Sequence, residues 1–498
     1  MSTWTSTYTL KKGSFVAGVQ CAKRMWWEIH EKGCEELEPD IASRWLMDQG
    51  IAVGKLAQKY VPGGTLIRRG GRSMSAILSD SRAALRDPHI PVIYEAGFLA
   101  HDTLVYADML ERNPTGFTLI EVKSTTSVKE LEHVPDIAIQ AYVLRAAGVR
   151  VTRCELMHLN RECRYPDLGD LFIRADVTDL VEDRLSSIQY ELAQLIAVAK
   201  SDAVPSVAIG QHCSLPRDCP FMERCWPLLP DDHVTTLYMI QKKKVAEYLD
   251  SGWTRIQDLP DDLKLSAIAG RQRLALREGA VVVEREALDR ALRTLAAPIA
   301  HIDFETVAPA VPVWNGCRPY ENVPVQLSCH FVDALGNARH FSWLAKDDRD
   351  PRPEIGHALI EACEGARTVT AYYSKFEQTC IRLIADVCPE ISSRLNEIAD
   401  NIVDLLPIVR DHVYHPEFRG SFGIKSVLPA LVPELGYDGL EIAEGGTASA
   451  QLMRMLFEPE AMEAAEREKL RESLLAYCRR DTEAMVALTE RLTALARA

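Results

Sequence analysis

The sequence predicts a mixed α/β protein made of two larger units joined by a helical connector. In the first half, short β-rich runs separated by turn residues alternate with helical patterns. In the second half, such runs precede the helical patterns. Both orders are expected of sheets covered by helices. With 498 residues the chain is too long for one core, at roughly 150 residues per domain. We therefore expect boundaries that give units at 1–228, 229–297 and 298–498.

The composition is that of a globular protein in a reducing compartment. Hydrophobic residues make up 47% and charged residues 26% of the chain, and no apolar run reaches the roughly 18 residues that span a bilayer. The first residues lack the basic and apolar segments of a secretory signal, so we expect a cytoplasmic protein with no membrane partner. The 13 cysteines are odd in number and mostly scattered, which disfavours a disulfide framework. The net charge of −14 argues against coating nucleic acid through bulk charge, although local basic strips can still guide a strand.

The first half alternates between strand and helix patterns. The strand patterns lie at 91–98, 104–110, 117–123 and 149–159. The helical patterns lie at 51–60, 136–147 and 180–200. Asn113-Pro-Thr-Gly separates two of the strands as a turn, and Gly148 closes the second helix. This alternation predicts a sheet with helices packed against it.

The second half follows a helix-like connector at about 235–297. It opens on a strand at 300–306, and the later strand patterns lie at 325–331, 340–344 and 368–372. The remainder is rich in helix and ends in a long amphipathic helix through Tyr477-Cys-Arg-Arg-Asp-Thr. Strands first and helices later predict an α/β layer with carboxylates at strand ends.

Carboxylates and a lysine in the first half are spaced as a metal-dependent phosphodiesterase site requires. Glu121 and Lys123 alternate on one strand, so their side chains share a face of the sheet. We expect Asp108, on the preceding strand, to share Mg²⁺ or Mn²⁺ with Glu121, and Glu95 to add a metal or water ligand. Lys123 would then lie beside the attacking water or the scissile phosphate. Divalent cations held by carboxylates neutralise the phosphate and activate water.

These residues carry a family resemblance. Tyr106-Ala-Asp108 followed by Ile120-Glu121-Val-Lys123-Ser resembles the PD-(D/E)XK nuclease motif in its RecB-like branch, and Gln140-Ala-Tyr142 is similar to the Gln/Tyr motif of that branch. The resemblance implies a PD-(D/E)XK core that cuts nucleic acid, with DNA favoured over RNA. It also implies nucleic-acid contacts through Gln140 and Tyr142.

Three cysteines recur at six-residue steps as Cys213, Cys219 and Cys225, and Cys21 lies far upstream. Regular spacing is typical of metal ligands. Structural zinc usually takes Cys-x-x-Cys pairs, the compartment disfavours disulfides, and four thiolates suit a 4Fe–4S cluster, so iron–sulfur is favoured while zinc stays open. The pattern resembles iron–sulfur RecB-like nucleases, which implies a 4Fe–4S cluster of structural role and helicase or defence-system partners.

A second set of carboxylates lies in the C-terminal half. Asp303 and Glu305 alternate on a strand, and Tyr477 and Asp481 are four residues apart on one helix face. With Glu377 between them in sequence, they resemble the DEDD exonucleases that have a tyrosine in the last motif. The resemblance implies an RNase H-like fold in which the four acids hold divalent metals and Tyr477 orients the nucleophilic water.

More of this half looks like an uncharacterised bacterial domain family that is fused behind RecB-like nucleases. The stretches that carry this likeness include Val325-Gln-Leu-Ser-Cys-His and Ser421-Phe-Gly-Ile-Lys-Ser-Val-Leu-Pro. Lys425 is a candidate phosphate contact, and Asp404 is either a site residue or a helix cap.

The leading prediction is a two-centre, metal-dependent nuclease that acts on DNA, single-stranded or at ends, in processing, repair or anti-phage defence. One alternative is an RNA-processing exonuclease that uses only the C-terminal site. The other is an inactive nucleic-acid-binding scaffold, which is favoured by Glu377 where the DEDD superfamily commonly has Asp.

Overall fold

The computed structural model describes residues 9–226, 229–437 and 439–498. The chain forms two compact units, and both combine helices with a mixed sheet, so the predicted α/β class is confirmed at this level. The first unit contains Met1–Pro227 together with Pro309–Tyr320, and the second contains Leu228–Ala308 and Glu321–Ala498. No helix among the described residues is long and apolar enough to cross a membrane.

The first unit is built on a seven-stranded sheet. Its strands are β1 (Leu10–Lys11), β2 (Thr65–Leu66), β3 (Val92–Ala100), β4 (Thr103–Asn113), β5 (Gly116–Lys123), β6 (Val151–Leu159) and β7 (Phe172–Asp176). Its helices are α1 (Lys12–Gln20), α2 (Ala22–His30), α3 (Ile41–Tyr60), α4 (Met74–Arg86), α5 (Glu130–Ala146), α6 (Thr178–Ala199) and α7 (Met222–Cys225).

The sheet of this unit runs in the order β2-β3-β4-β5-β6-β7, and β1 pairs with the start of β4. The β3–β4, β4–β5 and β6–β7 pairs are antiparallel, and the β2–β3 and β5–β6 pairs are parallel. The apolar core lies between this sheet and α5 and α6. The predicted strands and the turn after Asn113 are confirmed.

Two helices of the first unit begin earlier than predicted. α3 starts at Ile41, where the Asp40 side chain caps the helix by accepting a hydrogen bond from the Ser43 backbone. α5 starts at Glu130 and contains Pro135 in its interior. The helical pattern in the sequence predicts a start only at Asp136, directly after this proline.

The second unit contains a five-stranded sheet and a two-stranded sheet. Its strands are β8 (Val282–Val283), β9 (Ile299–Val307), β10 (Val323–Val332), β11 (Ala338–Leu344), β12 (Thr368–Ala371), β13 (Ile402–Asp404) and β14 (Val413–Tyr414). Its helices are α8 (Lys242–Asp250), α9 (Ala267–Glu278), α10 (Arg285–Leu292), α11 (Arg352–Ala362), α12 (Lys375–Ala385), α13 (Ser392–Asp400), α14 (Leu405–His412), α15 (Ile424–Leu431), α16 (Gly445–Phe457) and α17 (Ala464–Arg497). The helix-like connector therefore lies in this unit as α8, α9 and α10.

The larger sheet has the order β11-β10-β9-β12-β13. β10 is antiparallel to β9 and β11, whereas β12 is parallel to β9 and β13. The strands predicted from residue 300 onward are confirmed to within a few residues at each end. β9 is thus an inner strand, and its half-buried residues Asp303 and Glu305 are held on a rigid element.

Buried polar side chains fasten α17 to β10. Gln326 Nε2 donates to Leu474 O at 2.8 Å, and Thr482 Oγ1 lies 2.7 Å from both Ser328 Oγ and His330 Nδ1. Buried hydrogen bonds of this kind fix one helix orientation, because an unpaired partner would cost free energy. These hydrogen bonds determine which face of α17 packs against the sheet.

Asp404 caps a helix and stabilises a turn. Of the two roles proposed from the sequence, site residue or helix cap, the structure supports the cap. Its carboxylate accepts hydrogen bonds from the backbone of Leu406 at the start of α14 and from Tyr373 and Ser374 before α12. These hydrogen bonds fix the position at which α12 begins, and α12 carries Glu377.

Candidate functional site

Three acids of the second unit converge at one point. Asp303 and Glu305 lie on the same face of β9, and Asp481 reaches them from α17. One carboxylate oxygen from each lies within 4.8 Å of the others. The structure thus brings together three of the four acids predicted to hold metal here.

The fourth acid, Glu377, lies next to this group on the first turn of α12. Its side chain is 3% exposed, and Oε2 has no hydrogen-bond partner among the described residues. The Glu377 charge helps to raise the pKa values of Asp303 and Glu305. A buried, unpaired carboxylate oxygen is costly, so this site has unused capacity to bind a cation.

Burial raises the pKa values of all four acids, and repulsion from neighbouring acids adds to this effect for Asp303 and Glu305. Burial and the neighbouring Asp481 charge raise the pKa of Glu305 to about 8 and that of Asp303 well above its usual range. Burial raises the pKa of Glu377 to about 8. For Asp481 burial raises the pKa to about 6, against the effects of its hydrogen bond from Tyr437 and the Lys425 charge. Such a group of acids is stabilised by a positive ion.

Two tyrosines and a lysine border the acids. Lys425 Nζ donates to Tyr477 Oη at 3.1 Å and to Ala443 O at 2.6 Å, and it lies 5.1 Å from the Tyr477 ring centroid and 5.4 Å from that of Tyr437. Tyr437 Oη donates to Asp481 Oδ1 at 2.5 Å. Tyr477 and the exposed Lys425 thus lie beside the acids, as predicted. Tyr437 was missed, because it lies in a loop with no periodic pattern.

Three predicted residues of the first unit, Asp108, Glu121 and Lys123, also come together. The pairing of Met109 with Ile120 places Asp108 of β4 beside Glu121 of β5, and Asp108 Oδ2 accepts a hydrogen bond from Val122 N at 2.8 Å. Lys123 Nζ donates to Glu121 Oε1 at 2.9 Å. Asp108, Glu121 and Lys123 therefore lie together just beyond the last paired residues of β4 and β5.

Two further residues complete this group. Lys12, the first residue of α1, has Nζ 2.8 Å from Glu121 Oε1 and 3.1 Å from Asp136 Oδ1. Asp136 of α5 also forms an ion pair with Lys123. Asp136 is one helical turn before Gln140, a spacing that could have identified it, whereas no pattern in the sequence marks Lys12.

The charges of this group shift its pKa values in opposite directions. Burial would raise the pKa of Glu121, but Lys12 and Lys123 hold it well below its usual range. Burial and the Glu121 charge raise the pKa of Asp108 to about 8. Burial opposes protonation of Lys12, yet Glu121 and Asp136 raise its pKa above the usual range. Two neighbouring carboxyls with divergent pKa values are a common feature of acid–base sites.

Gln140 and Tyr142 do not lie where the predicted nucleic-acid contacts require. Gln140 is fully buried, and Nε2 donates to Glu121 Oε2 at 2.7 Å. Tyr142 packs against His101 at the β3–β4 turn, with ring centroids 5.4 Å apart. That turn is about 20 Å along β4 from Asp108, at roughly 3.3 Å per residue. Gln140 therefore orients Glu121, and Tyr142 supports the turn.

Glu95 faces the same cleft as the catalytic candidates. It has a φ of 60° within β3, a left-handed backbone conformation that is uncommon for this residue type, and its Oε2 lies 2.6 Å from Arg69 Nη2. The cleft has a volume of about 1210 Å³. Its lining includes Glu95, Asp108, Glu121, Lys123, Lys55, Arg68 and Arg69. Basic side chains thus border the acids, although the chain as a whole is acidic.

The four predicted thiol ligands lie around one cavity of the first unit. Cys21, Cys213, Cys219 and Cys225 line one small cavity, and all of them are free thiols. Within residues 9–226, no three of these sulfur atoms lie within 4.8 Å of one another. Four thiolates are a donor set that fits either zinc or a 4Fe–4S cluster.

Comparison with known protein families adds one finding. Residues 300–423 match the family described as Domain of unknown function (DUF2779). The match includes Asp303, Glu305 and Glu377 and ends before Tyr477 and Asp481. No curated protein matches the chain.

We predict that Glu305→Gln stabilises the metal-free protein at alkaline pH. Because the folded pKa of about 8 exceeds the usual 4.5, the folded state binds this proton more tightly, and wild-type stability falls as pH rises from about 4.5 to 8. In EDTA, thermal unfolding should show nearly equal Tm values at pH 4, below both pKa values. At pH 8 the Tm of the variant should be about 2–6 °C higher, for about 1–2 kcal/mol after solvent screening of this half-buried group.

The control is Glu364→Gln, which changes an exposed acid of the same unit. Its Tm difference from wild type should not vary with pH. If Glu305→Gln instead lowers Tm at pH 8, Glu305 is stabilised as a charged group and the electrostatic description of the site is wrong.

Proposed function

We propose that this protein is a divalent-metal-dependent nuclease with two centres, one in each unit. The observation that carries the proposal is the convergence of Asp303, Glu305 and Asp481, with oxygens within 4.8 Å, beside the buried and partly unpaired Glu377. Oxygen ligands suit Mg²⁺ and Mn²⁺. Metal pairs held by carboxylates stabilise both the attacking and leaving oxygens of a phosphodiester.

In the second unit, Asp303, Glu305, Glu377 and Asp481 would hold Mg²⁺ or Mn²⁺, which would supply charge neutralisation at the phosphate. The Tyr477 hydroxyl, on the same face of α17 as Asp481, would orient the attacking water. The Lys425 ammonium lies 3.1 Å from that hydroxyl, so it would bind the phosphate on the open side. The resemblance of these residues to DEDD exonucleases supports this assignment and favours an exonuclease, as does the position of Asp303 and Glu305 on an inner strand.

In the first unit, Asp108, Glu121 and Glu95, which all line one cleft, would hold the metal. Lys123 would lie beside the scissile phosphate, and Gln140 keeps Glu121 oriented through its 2.7 Å hydrogen bond. The resemblance to the RecB-like branch of PD-(D/E)XK nucleases supports this centre and favours DNA, single-stranded or at ends. DNA processing, repair or anti-phage defence, with helicase or defence-system partners, is the setting that the resemblance implies.

We further propose that the four cysteines hold a 4Fe–4S cluster. The four free thiols line one cavity of the first unit, and four thiolates are the donor set of such a cluster. The resemblance to iron–sulfur RecB-like nucleases supports iron–sulfur over zinc. When bound, such a cluster would join Cys21 to a segment almost two hundred residues later and so restrict the unfolded chain.

The nuclease proposal predicts which substitutions abolish cutting. We expect wild type with Mn²⁺ or Mg²⁺ to shorten labelled DNA, because the acids then hold the cation needed for catalysis. Lys123→Ala should reduce cutting by the first centre at least a hundredfold, and Asp303→Ala with Asp481→Ala should do so for the second. Single- and double-stranded DNA and RNA are compared by gel electrophoresis, with EDTA and the exposed substitution Lys375→Ala as controls.

Loss of cutting in one variant alone identifies the working centre. Cutting of RNA but not DNA, lost only with the Asp303/Asp481 variant, would instead establish the RNA exonuclease alternative. Tight strand binding without cutting by the anaerobically purified wild type would establish the scaffold alternative and overturn the enzyme.

The cluster proposal predicts the colour and metal content of the protein. Anaerobically purified wild type should be brown, with about four iron atoms and four sulfides per chain. Cys219→Ser should lose the visible thiolate-to-iron absorption, because a cluster ligand is removed, whereas Cys154→Ser, at a buried thiol outside the cavity, should keep it. Colourless wild type with one zinc per chain would contradict the assignment.

A further inference from the structure

Helix α1 physically connects the cysteine cavity to the first acidic centre. It begins at Lys12, which pairs with Glu121 and Asp136, and it ends at Gln20, directly before Cys21. Nine helical residues span about 13 Å at 1.5 Å per residue. One short rigid element therefore holds a ligand candidate at one end and a lysine of the acidic centre at the other.

Both ends of α1 are fastened by specific contacts. At the cysteine end, Gln20 Nε2 donates to His212 O at 2.8 Å and to Arg217 O at 2.6 Å, which ties the helix to the cysteine-bearing loop. At the other end, β1 pairs with β4 through Leu10 and Thr103. Displacement of the cysteine-bearing loop would therefore act directly on the end of α1.

The middle of α1 is closely packed. Phe15 is fully buried, and α1 contacts α2, α5 and α6. At Gly18, an added Cβ would lie only 2.7 Å from Leu195 Cδ2 on α6 and 2.8 Å from Met25 Sδ on α2. Such close packing favours movement of α1 as a rigid body over bending.

We propose that Lys12 is a second positioning lysine of the first centre and that the cysteine site sets its position through α1. Lys12 offers its ammonium to Glu121 Oε1, the same oxygen that Lys123 contacts, and to Asp136 Oδ1. It therefore balances Asp136 and competes with a divalent cation for Glu121. This inference rests on the proposed metal-binding function of Asp108 and Glu121.

Mn²⁺ affinity distinguishes this proposal from a purely structural role of Lys12, because the loss of a structural contact would not tighten Mn²⁺ binding. In a background of Asp303→Ala with Asp481→Ala, which removes the second centre, we expect Lys12→Met to tighten Mn²⁺ binding about three- to tenfold. The neutral side chain no longer competes for the Glu121 oxygen. Lys12→Arg, which keeps the charge, should bind Mn²⁺ within about twofold of the background, as measured by the paramagnetic resonance signal of free Mn²⁺.

A double-mutant cycle tests the role of α1. Cys21→Ser should release the end of α1, withdraw Lys12 and tighten Mn²⁺ binding as Lys12→Met does, and the combined variant should be no tighter than either single one. Gln20→Ala, which leaves every cysteine in place, should give the same change in smaller degree. Effects that multiply independently, or weaker Mn²⁺ binding in Lys12→Met, would overturn the proposal.

Amide hydrogen exchange tests whether the cysteine site holds α1 in place, and it does not depend on Mn²⁺ binding. In Cys21→Ser and Gln20→Ala, amides of α1 should exchange at least tenfold faster while those of β4 and β5 keep their wild-type rates. Glu182→Gln, which removes a surface ion pair with Arg145, is the control and should leave α1 unchanged. Unchanged α1 exchange in both test variants would overturn the connection. Failure of the background protein to bind Mn²⁺ would overturn the metal site itself and Lys12 as its positioning lysine.

Discussion

The burial of like-charged carboxylates is the constraint on which both centres depend. In the first unit, Lys12 and Lys123 oppose Glu121 and Asp136 within 3.1 Å, so the centre supplies most of its own counter-charge. In the second unit, Asp303, Glu305 and Asp481 converge, and the Lys425 charge lowers the pKa values of Glu305 and Asp481 without offsetting their burial. The second centre is therefore the stronger electrostatic case for a bound cation.

The scaffold of each unit keeps those carboxylates from separating. In the second unit, Asp303 and Glu305 are fixed on an inner strand, and Thr482 holds α17 to β10 through Ser328 and His330. In the first unit, the hydrogen bond from Val122 N and the antiparallel pairing of β4 with β5 fix Asp108 beside Glu121. Rigid secondary structure thus maintains a repulsive arrangement that flexible loops would relax.

The parts that could be predicted from sequence follow the periods of secondary structure. Alternation on a strand placed Glu121 with Lys123, and helical spacing placed Tyr477 with Asp481 on one face. The same reasoning could not find Lys12, which reaches its partners across more than a hundred residues.

The orientation of side chains could not be predicted from the sequence either. Gln140 was correctly placed on a helix, but its amide turns inward to Glu121 because the whole of that helix face is buried. Tyr437 lies in an irregular segment, and only the folded structure brings its hydroxyl to Asp481. Local patterns fix which residues share a face, whereas the long-range partner of each face is a property of the tertiary fold.

Anomalous X-ray diffraction from crystals of the full chain grown with Mn²⁺ tests most directly whether the converging acids bind a divalent cation. We expect an anomalous peak within about 2.5 Å of oxygens from Asp303, Glu305 and Asp481, because these like-charged acids need a counter-ion and their oxygens suit Mn²⁺. A well-ordered site with these side chains in place, no manganese peak between them and protons shared among the carboxylates instead would contradict this expectation.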